Sequence, residues 1–299
     1  MGPFFFNVYE ADIAVSTYAY ILMFADDLKL VRVIKSFEDC LSLQSDLIEQ
    51  ERWCTFNSMV INMKKCNVIT FTRSKNPIFF SYSLLDLHNI QRVTYVRDLG
   101  VTLTQTLSSD MHVLDNFVRA NRLLGYILRS TRSQTSQKAL KLLYCALVRQ
   151  VLEFSGGIWS PYHIGLISDL QKIQDKFVRV VGVRQGMNYR EVPVNLMSKE
   201  LQLSPLVVRR KLQDALFLFK LINGVIKCPE LLQKINFRVP SSTRSQELFW
   251  RNHHPTSYDW NCSLVRIQRF GCAIFSSVDF FNSSLPAFRK KVMKILSEE

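Results

Sequence analysis

The chain has 299 residues, 47% of them hydrophobic, which is enough for a sizeable core in one large or two modest domains. Its net charge of +13 is unevenly spread, with −3 in residues 1–70 and +16 in residues 71–299, so a polyanion is the partner the rear part would attract. No apolar run reaches about 18 residues and no basic leader precedes a small-residue cleavage site, so neither a membrane span nor a secretory signal is expected. Seven scattered cysteines form no C-x-x-C pair and no histidines stand at ligand spacing, which argues against zinc and for an intracellular location, nucleus or cytoplasm.

In chain order, residues 4–12 read as the end of a helix. Residues 18–24 and 28–33 read as two buried strands flanking Asp26 and Asp27. Two acids at an apolar bend either make an ordinary polar turn or hold a divalent metal such as Mg²⁺, which takes hard oxygen ligands. A helix is expected over 36–57, with Ser36 as N-cap and Glu38 and Asp39 in its first turn. Strands are expected at 67–72, 78–82, 90–96 and 99–103. Helices follow at 116–130, 137–152 and 167–181, with Gly156, Gly157 and Pro161 breaking the array. A further helix runs from Ser204-Pro205 to Gly224 as its C′ stop. Pro229, Pro240 and the polar stretch Ser241–Ser245 read as a loose connection, His253-His254 as a solvated pair, and Phe288–Leu296 as a terminal helix. The many Phe rings stand mostly at core spacing.

The helices separate apolar from basic faces. On 116–130, Phe117, Leu123, Leu124, Ile127 and Leu128 share one face, while Arg119, Arg122 and Arg129 lie opposite. On 137–152, Lys138, Lys141 and Arg149 fall together. On 167–181, Ile167, Leu170, Ile173, Phe177 and Val181 face one way and Lys172, Lys176 and Arg179 the other, with Asp169 and Asp175 beside that row. Such rows either solvate a surface helix or track phosphates. No acid occurs between Asp115 and Glu153, which favours phosphates.

Six segments resemble, in order, the later motifs of a non-LTR (LINE-type, jockey- and I-like) retrotransposon reverse transcriptase. Gly2-Pro3-Phe4-Phe5-Phe6-Asn7-Val8-Tyr9-Glu10-Ala11-Asp12-Ile13 is similar to the G-P-L-L-F-N-x-Y-x-N-D-I palm helix. Phe24-Ala25-Asp26-Asp27 resembles the metal-binding palm motif. Ile61-Asn62-Met63-Lys64-Lys65-Cys66 resembles the following L-N-x-x-K segment. Val96-Arg97-Asp98-Leu99-Gly100-Val101 is similar to the primer-grip strand. Leu147–Phe154 and Ile158-Trp159-Ser160-Pro161 are similar to the thumb.

The resemblance implies an α+β chain: a partial polymerase palm, antiparallel sheet plus helices, over 1–104, a helical thumb over 105–185, and a mostly helical carboxyl-terminal extension over 186–299. It implies an RNA-directed DNA polymerase with Mg²⁺ or Mn²⁺ on Asp26 and Asp27, Asp26 bridging and Asp27 supporting. Lys65 would serve the departing pyrophosphate, although Lys64 stands beside it. Leu99 and Gly100 would shape the primer grip through their backbone, while Asn7 and Tyr9 would pack the palm helix. An RNA template and DNA primer would lie on Arg119, Arg122, Arg129, Lys138, Lys141, Lys172, Lys176 and Arg179, with a dNTP in the intact enzyme. The family's fingers and first palm metal Asp precede the matched segments, so this fragment is expected to be inactive alone. A non-catalytic nucleic-acid-binding remnant and a helical interaction protein remain as alternatives.

Overall fold

Ser36 starts the longest helix of the front part of the chain by the local chemistry that Ser-x-x-Asp predicts. Its hydroxyl accepts from the Asp39 backbone N–H (3.4 Å), and the Asp39 carboxylate accepts from the backbone N–H groups of Ser36 (2.9 Å) and Lys35 (2.8 Å). The computed structural model describes residues 2–13, 17–85, 88–131, 135–238, 248–249 and 254–298. The expected connection at Pro240 and Ser241–Ser245, and His253, lie outside them. The chain divides into two compact units, residues 1–108 and 109–299, and is mixed α+β with most of its helix in the second. The second unit holds the segment expected over 186–299 and, from residue 109 onward, the one expected over 105–185.

The first unit contains α1 (Gly2–Tyr9), the strands β1 (Tyr20–Phe24) and β2 (Asp27–Val31), and α2 (Phe37–Phe56). A 3-10 turn at Met63–Lys65 leads to β3 (Asn67–Val68), β4 (Ser83–Leu84), β5 (His88–Asn89), β6 (Gln91–Arg92), β7 (Tyr95–Asp98) and β8 (Val101–Thr104). The strands do not join into the antiparallel palm sheet expected. Among the described residues they form four two-stranded ladders, of which β3–β6 is parallel. The expected strand at 78–82 is not formed: Phe80 O accepts from the Arg92 guanidinium (2.5 Å), and only Tyr82, whose O accepts from Ile90 N (2.8 Å), continues the β4–β5 register.

α2 organises this unit largely through polar bonds. Gln44 brackets Ser83, its Nε2 donating to the carbonyl (2.9 Å) and its Oε1 accepting from the N–H (3.0 Å). Buried Asp46 accepts from Tyr18 N (3.1 Å) and from Arg32 (3.3 Å), and buried Gln50 donates to Ile13 O (3.0 Å).

The second unit is a helical array: α3 (Asp110–Ser130), α4 (Gln137–Leu143), a π-turn (Tyr144–Arg149), α5 (Gln150–Glu153), α6 (Gly156–Trp159), α7 (Ile164–Arg184), α8 (Val194–Glu200), α9 (Leu206–Ile222), α10 (Pro229–Leu232), α11 (Ser257–Trp260), α12 (Ser263–Ile274) and α13 (Leu285–Glu298). α9 is its hub and touches α5, α6, α7, α10, α12 and α13. It ends as the Gly signal predicts: Gly224 takes φ 66°, and Val225 N bonds Lys220 O (2.9 Å) while Gly224 N bonds Leu221 O (3.3 Å), closing a Schellman motif. The core there is aromatic and aliphatic, with Phe288 against Phe219 (4.4 Å between centroids) and Phe280 (5.0 Å), and Tyr144 stacked on Phe177 (4.3 Å). The break after α5 is not at the glycines, which lie inside the α6 turn. It falls at Ser155, which takes φ 52°. Among the described residues no helix is long and apolar enough to cross a membrane.

Candidate functional site

The β1–β2 hairpin places the two carboxylates at its end. The ladder pairs Tyr20 with Val31, Leu22 with Lys29 and Phe24 with Asp27, leaving Ala25 and Asp26 as the two-residue turn. Ala25 takes φ 51° and Asp26 does not, the pattern of a type II′ turn, whose first central position favours glycine. Asp26 is therefore in the turn, and Asp27 is the first strand residue, on the same face as Tyr20, Leu22, Phe24, Lys29 and Val31. Both acids are exposed.

The two strands are not buried as expected. Tyr20 is 76% exposed and Phe24 62%, so among the described residues no packed layer covers that face of the two-stranded ladder. Ile21, Leu28 and Leu30 on the opposite face are half-buried.

A second hairpin carries Leu99 and Gly100. β7 and β8 pair from Tyr95–Thr104 to Asp98–Val101, so these two residues form the whole connection. Both have positive φ, 43° and 87°, which is a type I′ turn. Glycine meets that demand freely, whereas Leu99 is held in a left-handed conformation that costs an ordinary residue about 1–2 kcal/mol. Asp98, directly before this turn, makes an ion pair with Lys29 of the first hairpin. Neither residue is a candidate in the sequence, although Asp98 lies in the segment Val96–Val101 and Lys29 in the strand expected at 28–33. Their ion pair brings the Asp26–Asp27 hairpin and the Leu99–Gly100 hairpin together.

Lys65 is exposed at the end of the 3-10 turn. Its N–H bonds Asn62 O (2.9 Å) and its carbonyl accepts from Asn67 Nδ2 (3.1 Å). Among the described residues nothing ties it to Asp26 or Asp27. A shallow open depression of about 570 Å³ beside this turn is lined by Lys64, not Lys65, together with Met63, Cys66, Leu85, His88, Asn89 and Gln91.

Two exposed carboxylates suit one weakly held Mg²⁺ or Mn²⁺ with water completing its shell. Among the described residues no group of three or more His, Cys, Asp or Glu side chains gathers at a common point. A two-ion site needs carboxylates bridging ions roughly 3.5–4 Å apart, and among the described residues Asp26 and Asp27 stand as a pair with no third carboxylate beside them.

The basic rows of the second unit differ from one another. α3 buries Val113, Ala120, Leu124 and Ile127, while Phe117, Leu123 and Leu128 are only half-buried, and Arg119, Arg122 and Arg129 are exposed opposite that seam. Among the described residues Arg119 and Arg122 make no hydrogen bond or ion pair. Tyr126, 61% exposed, stands one turn beyond Arg122.

The α7 row is engaged by neighbours. Lys172 pairs with Asp169 (2.7 Å), Lys176 donates to Asn121 on α3 (3.0 Å), and Arg179 lies over the Tyr189 ring (5.8 Å). Lys138 is exposed and Lys141 half-buried on α4. Arg149 departs from their row: the π-turn rotates the following side chains away from helical register, and Arg149 lies 3.8 Å from Glu153. His254 is not solvated either, being only 14% exposed and bonded to Asp259 (2.7 Å).

Comparison of the chain with family models, with curated proteins and with solved structures returns no match.

Proposed function

We propose that the chain is a nucleic-acid-binding portion of a reverse transcriptase of the non-LTR retrotransposon kind, which engages a template–primer duplex and does not extend a primer by itself. The observation that carries this reading is the pair Asp26–Asp27, exposed at a strained two-residue hairpin turn inside the motif order described above. The Leu99–Gly100 turn, linked through Lys29–Asp98, supports it as a second backbone feature of the same unit. The inactivity follows from the donor set, since two carboxylates at an exposed tip leave a two-ion site incomplete.

The alternative of a non-catalytic nucleic-acid-binding protein rests on α3. The second unit carries a net charge of +14 against −1 for the first, and Arg119, Arg122 and Arg129 form its open basic edge. A primer-extension assay on an RNA template with Mg²⁺ or Mn²⁺ tests the first reading. The expected result is no extension, and extension abolished by Asp26→Asn would overturn it. Binding to duplex across a salt series tests both. Each phosphate contact contributes about 0.9 to the log–log salt slope on B-form DNA. Arg119→Gln/Arg122→Gln/Arg129→Gln is expected to weaken binding on all sequences alike and flatten that slope. Unchanged affinity and slope in the folded variant would leave the α3 row as a solvated helix face.

A further inference from the structure

Arg210 on α9 is buried, 2% exposed, and among the described residues its Nε, Nη1 and Nη2 have no hydrogen-bond partner. It belongs to a cluster where α5, α6, α9 and α12 meet. Four guanidinium groups gather there, Arg149, Arg209, Arg210 and Arg266, with two carboxylates, Glu153 and Asp214. Both carboxylates are already taken. Glu153 accepts from Arg209 through Nε and through Nη2 (2.9 Å) and lies 3.8 Å from Arg149. Asp214 accepts from Arg266 Nε (2.8 Å) and Nη2 (3.2 Å), and Arg266 Nη2 also donates to Gly157 O (2.7 Å).

The cluster therefore has two positive charges in excess, and its most buried member has no acceptor. Burial lowers the Arg210 pKa to about 10, so the group is still a cation at neutral pH. A buried guanidinium with no acceptor is costly, and native folds rarely retain one. Its stem runs against Gly156, where a Cβ would come within 3.6 Å of Arg210 Cγ and 2.8 Å of Gln213 Oε1. Arg149 and Arg209, which flank Glu153, are the partly exposed members of the cluster, with side chains 22% and 23% exposed.

We propose that this cluster is a binding site for a phosphate dianion, with Arg210 as its buried anchor and Arg209 and Arg149 at its mouth. A phosphate with two negative charges balances the excess and offers the acceptors that a planar guanidinium fork takes in pairs. Two sources share this chemistry: free orthophosphate and the terminal phosphate monoester of an oligonucleotide.

The test uses the full chain at fixed ionic strength. Orthophosphate is expected to raise the melting temperature of the second unit saturably, by roughly 5–10 °C at a hundredfold excess over Kd, relative to chloride. Arg210→Met is expected to abolish that response, and Arg190→Gln, at an exposed arginine elsewhere on the unit, to keep it. Broadening of the orthophosphate ³¹P signal by the wild-type chain, reversed by sulfate, gives a reading that does not depend on the variant folding. Tighter binding of a 5′-phosphorylated oligonucleotide than of its 5′-hydroxyl counterpart assigns the site to a terminal phosphate, and equal binding assigns it to the free ion. No saturable shift, no sulfate-reversible broadening, or an equal response in Arg210→Met would overturn the proposal and leave buried water as the partner of Arg210.

Discussion

The two units bury their apolar side chains very differently. Among the described residues the first unit contains six buried hydrophobic side chains, Ile13, Cys40, Cys54, Tyr82, Leu84 and Val101, and the second contains thirty-three. The first unit is more than half as long as the second, so size alone does not account for the contrast. Its apolar residues are present but lie on the surface: Phe4, Phe5 and Val8 on α1, Tyr20, Leu22 and Phe24 on β1, Phe56 at the end of α2 and Val60 after it. Side-chain hydrogen bonds from α2 hold it together where a core would otherwise do so, and such bonds add only about 1 kcal/mol each. Burial is the dominant stabilising term, so the second unit is expected to be much the more stable. Two transitions on heating or in denaturant follow from this, with the first unit melting first. A single coincident transition would break the comparison.

The largest expected effect isolates the second unit. Phe288 is fully buried on α13 between Phe219 and Phe280. Phe288→Ala removes a ring from a packed site and should cost about 3–5 kcal/mol. That corresponds to a fall of roughly 6–20 °C in the second transition. The first transition should not move. If it falls in step, the units unfold together and their separate cores do not set separate stabilities.

A smaller effect, of opposite sign, concerns the first unit. Leu99 occupies the first central position of a type I′ turn at φ 43°, where Asn-Gly is the favoured pair. Leu99→Asn should raise the first transition by about 1 kcal/mol, because it relieves left-handed strain and removes half-exposed apolar surface. Ala25→Gly should act the same way at the other hairpin, where Ala25 takes φ 51°. Fluorescence or circular dichroism melts of the full chain report both. Destabilisation by Leu99→Asn would show that the leucine side chain packs enough to outweigh its backbone cost. If either change also weakened nucleic-acid binding, the strain would be tied to use of the turn.

The sequence made helix chemistry legible and tertiary placement much less so. The Ser36 cap, the Gly224 stop and the seam of α3 are local, and each could be read within a few residues. The Asp26–Asp27 hairpin was legible as a hairpin, but its burial was not. Alternating apolar residues say that a face can be covered, not that a neighbour covers it. The strand expected at 78–82 has its Phe80 carbonyl bonded by Arg92, a partner that local alternation of apolar residues does not reveal. The row Lys172–Lys176–Arg179 could be placed on one face by periodicity. Its partners Asn121, on α3, and Tyr189, in the turn after α7, leave no periodic trace. Arg210 shows the limit most sharply, since an arginine inside a helix reads as surface until its neighbours are known.

The smallest expected effect tests whether local capping contributes measurably in the weakly cored unit. Ser36 and Asp39 close a capping box at the start of α2, the helix from which Gln44, Asp46 and Gln50 bond the rest of the unit. Ser36→Ala should cost about 1 kcal/mol, a visible part of a small stability. Asp39 supplies the pH dependence. Hydrogen bonds from the Lys35 and Ser36 backbone N–H groups hold its pKa below the ordinary 3.8. A carboxyl whose folded pKa is depressed contributes its full stability above the unfolded value and loses it as pH falls through the folded value. The first transition should therefore weaken below about pH 3.8 in the wild type. Asp39→Asn, which imitates the protonated state, should remove this component of the acid dependence while lowering stability at neutral pH. Hydrogen exchange at the first turn of α2, followed from pH 6 to pH 3, separates this local effect from acid sensitivity elsewhere. Exchange that is equally protected in Asp39→Asn and wild type at neutral pH would show that helix packing, not the cap, holds α2 in place.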